Sequence, residues 1–304
     1  MLVTGCAGFI GSSVVDELLK SGYSVVGVDA FRDYYSRGLK EKNIEKAAGD
    51  SNFSFIDGDI LDVDLPSVDY VVHEAAQAGV RASWGKGFDI YARDNVLVTQ
   101  RLLEFYKGSD IRMFVYASSS SVYGDSKLPM REDGRLRPVS PYGVTKLAGE
   151  NLCYLYYKNY DLPTVSLRYF TVYGPRQRPD MAINKFTRSI LDGEEIVVFG
   201  DGKQTRDFTY VSDVVNATIN AMKSNEAGEV FNIGGGSRIS VNDLISLLGE
   251  ALGKDPKVCY GDKQRGDVLD TYADISKAEH INWRPKITLK EGIGNYVDWI
   301  RNNF

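Results

Sequence analysis

The stretch that most constrains this chain is its first eleven residues. Leu2-Val3-Thr4 reads as a short buried strand, Gly5-Cys6-Ala7-Gly8-Phe9-Ile10-Gly11 sets three glycines behind it, and residues 10–20 read as an amphipathic helix. So tight a turn between a strand and its crossover helix needs glycine where the backbone runs left-handed and where no Cβ fits. It also aims bare amides and the positive helix end at one point, which suits a dinucleotide pyrophosphate. The spacing is G-x-x-G-x-x-G, wider than the standard G-x-G-x-x-G fingerprint, and glycines alone are weak evidence. A second strand, residues 24–28, ends in Asp29 at about the expected distance downstream. A carboxylate there can accept both ribose hydroxyls and repel a 2′-phosphate, so NAD is favoured over NADP, although Arg32 lies close by.

Short β-branched runs then alternate with longer amphipathic ones. Strands are predicted at 2–3, 24–28, 53–56, 70–73, 113–117 and 164–167, and helices at 10–20, 39–48, 88–106 and 141–159. This succession is that of an α/β, doubly wound parallel sheet. Beyond Arg168 the alternation fades and the elements shorten (196–199, 230–233, 258–260), with a last helix at 289–301. The expectation is a nucleotide-binding domain over 1–168, with segments returning near 208–236. A smaller substrate-binding domain is expected from 169–207 and 237–304. With 304 residues, 43% hydrophobic and 25% charged, the chain can bury a real core. Its net charge of -5 supplies no basic field for nucleic acid or an anionic membrane. The three cysteines, Cys6, Cys153 and Cys259, form neither a CxxC motif nor a disulfide framework, and His73 and His280 stand far apart. They read as structural, with no metal site. No apolar run is long enough to span a membrane, and the N-terminus lacks a basic region followed by an apolar stretch, so a cytoplasmic protein is expected.

Over nearly its whole length the chain resembles the NAD-dependent epimerase/dehydratase family of extended short-chain dehydrogenase/reductases, with its Rossmann-like fold. In that family the glycines have this wider spacing, so Gly5, Gly8, Phe9, Ile10 and Gly11 are expected on the cofactor together with Asp29. The resemblance further implies Asp59 and Ile60 around the adenine, Ala75 and Ala76 along the pyrophosphate and nicotinamide ribose, and support from Asn95 and Tyr169.

Tyr142 and Lys146 stand four apart in Ser140-Pro141-Tyr142-Gly143-Val144-Thr145-Lys146, which puts both on one face of a helix beginning near Pro141. An ammonium beside a phenol lowers its pKa and makes tyrosine usable as a base near neutrality. Tyr116-Ala117-Ser118-Ser119-Ser120-Ser121-Val122-Tyr123-Gly124 follows a buried strand and presents hydroxyls at the sheet's carboxyl edge, where open α/β sheets bind ligands. By resemblance Ser119 completes a triad with Tyr142 and Lys146. The family's 4,6-dehydratases carry Asp-Glu where this chain has Ser120-Ser121, and its decarboxylases a Glu at the second position. Without those carboxylates, oxidation followed by re-reduction at C4, an epimerisation, is the expected reaction.

Arg206 in Thr205-Arg206-Asp207-Phe208, and Arg265 with Asp267 in Gln264-Arg265-Gly266-Asp267, match the family's diphosphate and nucleotide-ribose contacts. Arginine forks suit phosphate oxygens. Uridine is favoured by likeness to UDP-sugar enzymes. Asp33-Tyr34-Tyr35, His73-Glu74-Ala75-Ala76-Gln77-Ala78-Gly79-Val80-Arg81 and the Arg168 to Met181 stretch look most like UDP-glucuronate 4-epimerases. A sugar carboxylate would find donors in Ser119, Ser120, Ser121 and Thr171, with Arg81 and Arg178 as further candidates and Lys185 near the diphosphate. UDP-glucose/UDP-galactose epimerisation stays open, as do a reductase or dehydrogenase that releases NADH and a non-catalytic NAD-binding regulator. The resemblance also implies a homodimer built on the helices at 88–106 and 141–159.

Overall fold

A computed structural model describes residues 1–262, 264, 266 and 268–303. The predicted strands appear as β1 (Leu2–Thr4), β2 (Val25–Asp29), β3 (Phe53–Asp57), β4 (Tyr70–His73), β5 (Met113–Ser119) and β6 (Thr164–Tyr169). Further along come β7 (Thr171–Tyr173), β8 (Glu195–Phe199), β9 (Thr205–Tyr210), β10 (Val230–Ile233), β11 (Arg238–Ser240) and β12 (Lys257–Gly261). The main sheet runs β10-β6-β5-β4-β1-β2-β3, parallel throughout, so the order reverses beside β1 as doubly wound folds require.

The sheet is covered on both faces by α1 (Phe9–Lys20), α2 (Arg37–Ala48), α4 (Val98–Tyr106), α5 (Pro141–Tyr160) and α7 (Val211–Lys223), with α3 (Phe88–Ala92) packed on α5 and α6 (Ala182–Asp192) lying with the smaller sheets. Strand alternation divides the core. Val3, Val72 and Val115 pack with α1 and α7, whereas Leu2, Val71 and Phe114 pack with α4 and α5. The smaller sheets, β11-β9-β7 and β12-β8, share another apolar cluster with α6, α8 (Val241–Leu252) and α9 (Leu289–Asn303). Burial on both sides explains why β5 opens as a continuous apolar run, Met113 to Ala117.

Two departures matter for the site. The continuous helix predicted at 88–106 is α3 and α4 joined by a π-helical turn at Arg93–Leu97. One extra residue per turn swings Asn95 inward, where its Oδ1 accepts from Gln77 N at 2.7 Å and its Nδ2 donates to Thr145 Oγ1 at 2.9 Å. Strands β5 and β6 also run two residues past their predicted ends, because Ser118 and Ser119 pair with Arg168 and Tyr169. There Arg168 forms a buried ion pair with Glu150 of α5 at 2.8 Å, and Ser118 Oγ donates to the same carboxylate. Arg168 also donates to Tyr123 Oη at 2.8 Å and Glu132 O at 3.3 Å, so an arginine in a strand interior is satisfied by partners that sequence patterning cannot see.

Candidate active site

The site begins where β1 ends. Gly5 takes φ +65°, and a Cβ there would stand 2.8 Å from the backbone of Ala75. A Cβ on Gly11 would come within 2.2 Å of the Gly5 carbonyl oxygen. Helix α1 starts behind Gly8 with no side-chain cap and no acidic residue in its first turn. Its leading amides are therefore free to meet an anion. Asn43 Nδ2 braces the turn from behind by donating to Ala7 O at 3.0 Å.

Gly5, Gly8, Phe9, Ile10 and Gly11 line one cleft along the carboxyl edge of the sheet. Asp29 joins them from β2, and its carboxylate accepts from Ala7 N at 3.1 Å and Phe31 N at 2.8 Å. Burial raises its pKa against those two donors. At the far wall Asp59 and Ile60 are present, with Asp59 ion-paired to Arg32 and Arg93. Burial pushes Asp59 up, but the Leu61 amide and the two guanidinium groups outweigh it and hold the carboxylate below its ordinary value. Arg32 also pairs with Asp94 at 3.3 Å, so two carboxylates occupy this guanidinium. Asp29 itself can accept ribose hydroxyls and repel a 2′-phosphate, as NAD requires, with Lys40 the cation whose charge acts on it in the same cleft. The glycine cradle, uncapped helix and acid together fit this dinucleotide.

The other half of the cleft holds the chemistry. Ser140 Oγ caps α5 by accepting from Gly143 N at 3.1 Å, with Pro141 in the first turn, so Tyr142 and Lys146 fall on successive turns of one face. Both line the cleft with Ala75, Ala76 and Tyr169. Lys146 Nζ donates to Ala117 O at 2.7 Å, and burial lowers its pKa to about 8 against the nearby Glu74 carboxyl. Burial also raises the Tyr142 pKa, with a Ser119 hydrogen bond and the Arg178 charge pulling the other way. The spacing argument assigned the lowering to Lys146. Here the ammonium is turned to a backbone carbonyl, and Ser119 and Arg178 are the groups that act on the phenol.

Ser119 Oγ accepts from Ser121 N at 3.1 Å and donates to Ser121 Oγ at 3.1 Å, which gathers the serines at the end of β5. Ser120 and Ser121 form the short 3-10 turn that follows, and Thr171 opens β7 two residues beyond Tyr169. Asn95 stands behind the cleft wall and holds Gln77, which lines it. Arg178 reaches the cleft but is gripped by Asp180 at 2.9 and 3.0 Å. The remaining cations sit farther out. Arg81 is exposed, with its guanidinium 4.4 Å from the Phe199 ring centre, and Lys185 is exposed on α6. Arg206 donates to the carbonyls of Thr205, Val268 and Leu269. Arg265 and Asp267 lie outside the described residues.

A family model described as NAD dependent epimerase/dehydratase family matches residues 1–234. The chain belongs to that family. Among its curated relatives, the Bacillus subtilis (strain 168) protein "Uncharacterized UDP-glucose epimerase YtcB" is 44% identical, with 99% of this chain and 97% of that one aligned. A UDP-glucuronate 4-epimerase of Thermodesulfobacterium geofontis (strain OPF15) is 41% identical, covering 99% of this chain and 96% of the relative. The crystal structure of UDP-glucuronic acid 4-epimerase from Bacillus cereus, in complex with UDP-glucuronic acid and NAD, superposes with a TM-score of 0.97 at 45% identity, covering 100% and 99% of the two chains.

Within this epimerase/dehydratase member, several cleft residues received no role from sequence reading. Gln77, Arg93 and Asp94 acquire theirs from the π turn and from pairing across the cleft. Glu74 was within reach of the sequence, because a carboxylate directly after the buried run Tyr70-Val71-Val72-His73 must sit at the sheet's carboxyl edge. His73 itself is structural: its ring bonds to Thr4 Oγ1 at 2.7 Å and Thr99 Oγ1 at 3.0 Å, and burial holds its pKa at about 3.

Proposed function

We propose that the chain interconverts UDP-glucuronate and UDP-galacturonate through a transient 4-keto sugar. NAD is the cofactor, as in its family. The observation that carries the reading is the meeting, in one cleft, of the dinucleotide cradle with Tyr142 and Lys146.

When bound, NAD supplies a reversible hydride acceptor for C4. Tyr142 takes the proton of the C4 hydroxyl as the hydride leaves and restores it to the 4-keto oxygen when hydride returns to the opposite face. Ser119 and Arg178 favour the charged form of the phenol. Lys146, fixed on the Ala117 carbonyl one turn along α5, adds positive charge to the same half of the cleft. Positions 120 and 121 present hydroxyls where elimination would need a carboxylic acid and a carboxylate, so the ketone is left to be reduced again. Ser119, Ser120, Ser121 and Thr171 are assigned to the sugar carboxylate, Arg81 and Arg178 to the sugar end, and Lys185, Arg206, Arg265 and Asp267 to the nucleotide diphosphate and its ribose. Asp59, Ile60, Ala75, Ala76, Asn95 and Tyr169 are assigned to the cofactor. The clustering of β7 and α6 with α8 and α9 supports a division into a cofactor domain and a substrate domain near residue 169.

A second reading, epimerisation of UDP-glucose, draws support from the B. subtilis relative's name. To test both, purified protein without added NAD is incubated with either sugar nucleotide and C4 configuration is followed by NMR. Turnover of the acid alone is expected. Turnover of UDP-glucose alone would overturn the carboxylate assignment, and no turnover of either would overturn the epimerase reading for these sugars. We further place the enzyme in the cytoplasm as a homodimer. No described helix is long and apolar enough to cross a membrane. Leu97 and Phe105, beside and within α4, and Val144, Tyr154 and Leu155 on α5 expose their side chains, as a four-helix interface would use. Leu155→Glu should halve the mass seen by light scattering.

A further inference from the structure

Glu74 is a buried acid on the cofactor wall that the proposed reaction does not use. It follows β4 directly, its Oε1 accepts from Tyr169 Oη at 2.8 Å, and that hydroxyl is anchored in turn by Thr218 Oγ1 of α7 at 2.8 Å. Tyr142 and Lys146 on α5 and Tyr169 on β6 are the titratable groups that share its charge field. Among the described residues a carboxyl here has no ion-pair partner comparable to the Arg168 that neutralises Glu150. It stands instead in the half of the cleft where Ala75, Tyr142, Lys146 and Tyr169 converge, which is where the redox end of a dinucleotide must lie if the cradle holds its pyrophosphate.

The oxidised nicotinamide ring carries a positive charge that the reduced ring lacks. A buried anion nearby therefore favours the oxidised form, and a buried ammonium such as Lys146 favours the reduced one. We propose that Glu74 is a positioning residue that, held by Tyr169, offsets Lys146 and sets the balance of affinities for NAD+ and NADH, so that the enzyme returns to the oxidised cofactor after each turnover. This rests on NAD as the cofactor but not on which sugar is turned over. It is supported by the acid's own protonation: burial raises Glu74 to about 7, against the Tyr169 hydrogen bond and the Lys146 charge.

The test uses full-length holoenzyme equilibrated with NAD+/NADH mixtures, freed of unbound cofactor, with each bound form counted after extraction. In Glu74→Gln the preference for NADH over NAD+ should rise about tenfold, as loss of one charge–charge contact at an intermediate dielectric allows. In the native enzyme the same preference should fall as pH rises from about 6 to about 7 and Glu74 ionises, and Glu74→Gln should remove that acid-side slope and leave only the part that Lys146 contributes at higher pH. Tyr169→Phe keeps the acid but removes its donor, so the midpoint of the slope should move up. An unchanged preference in Glu74→Gln, a flat native profile, or a midpoint that Tyr169→Phe leaves unmoved overturns the proposal. Failure of the native protein to hold either form would overturn the cofactor reading itself, and the proposal with it.

Discussion

The turn between β1 and α1 is a place where one methyl group should separate folding from cofactor binding. In Gly11→Ala the new Cβ would stand 2.2 Å from the Gly5 carbonyl oxygen and 2.8 Å from its carbon. Both are backbone atoms, so relief requires the turn to open by most of an ångström. Overpacking of this kind costs about 1–3 kcal/mol, which for a chain of this size corresponds to a fall in Tm of about 2–5 °C. The same opening parts the α1 amides from the pyrophosphate, so the stabilisation added by bound NAD should shrink as well. Gly294→Ala is the paired control: a Cβ there meets nothing within 4 Å in α9, and the helix should gain about 0.5–1 kcal/mol. Thermal denaturation with and without added NAD, together with NAD retained per chain, reads both effects. A Gly11→Ala protein with native Tm and full NAD occupancy would refute the claim that this glycine is required by close backbone approach.

Tyr142→Phe should keep its bound NAD and lose about 10²–10⁴ in kcat, measured by NMR of C4 configuration, because only proton transfer is removed. Arg168→Met leaves the Glu150 carboxylate buried without its guanidinium partner, and urea unfolding should show a loss of about 3–5 kcal/mol. Arg168→Met/Glu150→Met should recover most of that loss, since no unpaired charge remains. Asp207 is held by Gly235 N at 2.7 Å and Ala273 N at 3.0 Å, yet burial raises its pKa to about 7. Its folded form thus binds a proton more readily than the unfolded chain, and its contribution falls as pH rises from about 4 to 7. Stability measured by urea across that range should decline less steeply in Asp207→Asn, and an unchanged slope would contradict the burial argument.

Most of the cofactor half was legible in the chain. Residues 1–30 place glycines, helix and acid within one local unit, and the structure brings Gly5, Gly11 and Asp29 to one cleft as that unit implies. Tyr142 and Lys146 were legible for the same reason, since four residues on one capped helix need no distant information. The strands β7, β9 and β11 and the helices α7 and α8 were not. Thr171–Tyr173 and Arg238–Ser240 are only three residues long, too short for a period to show, and become strands by pairing on either side of β9. The π turn likewise hides in a helical pattern, because one extra residue leaves the apolar stripe nearly intact.

Local sequence determined the α/β alternation, the tight glycine turn and the tyrosine–lysine face, because each is decided by residues within a few turns of one another. Only tertiary structure decided which charges are spent and which are available. Arg32 is neutralised by Asp59 and Asp94, Lys146 is drawn to Ala117, and Glu74 is left on the cofactor wall with a tyrosine for its partner. Those outcomes depend on burial and on partners brought together from separate strands, and the free energy of a charge is set by such surroundings rather than by its neighbours in sequence.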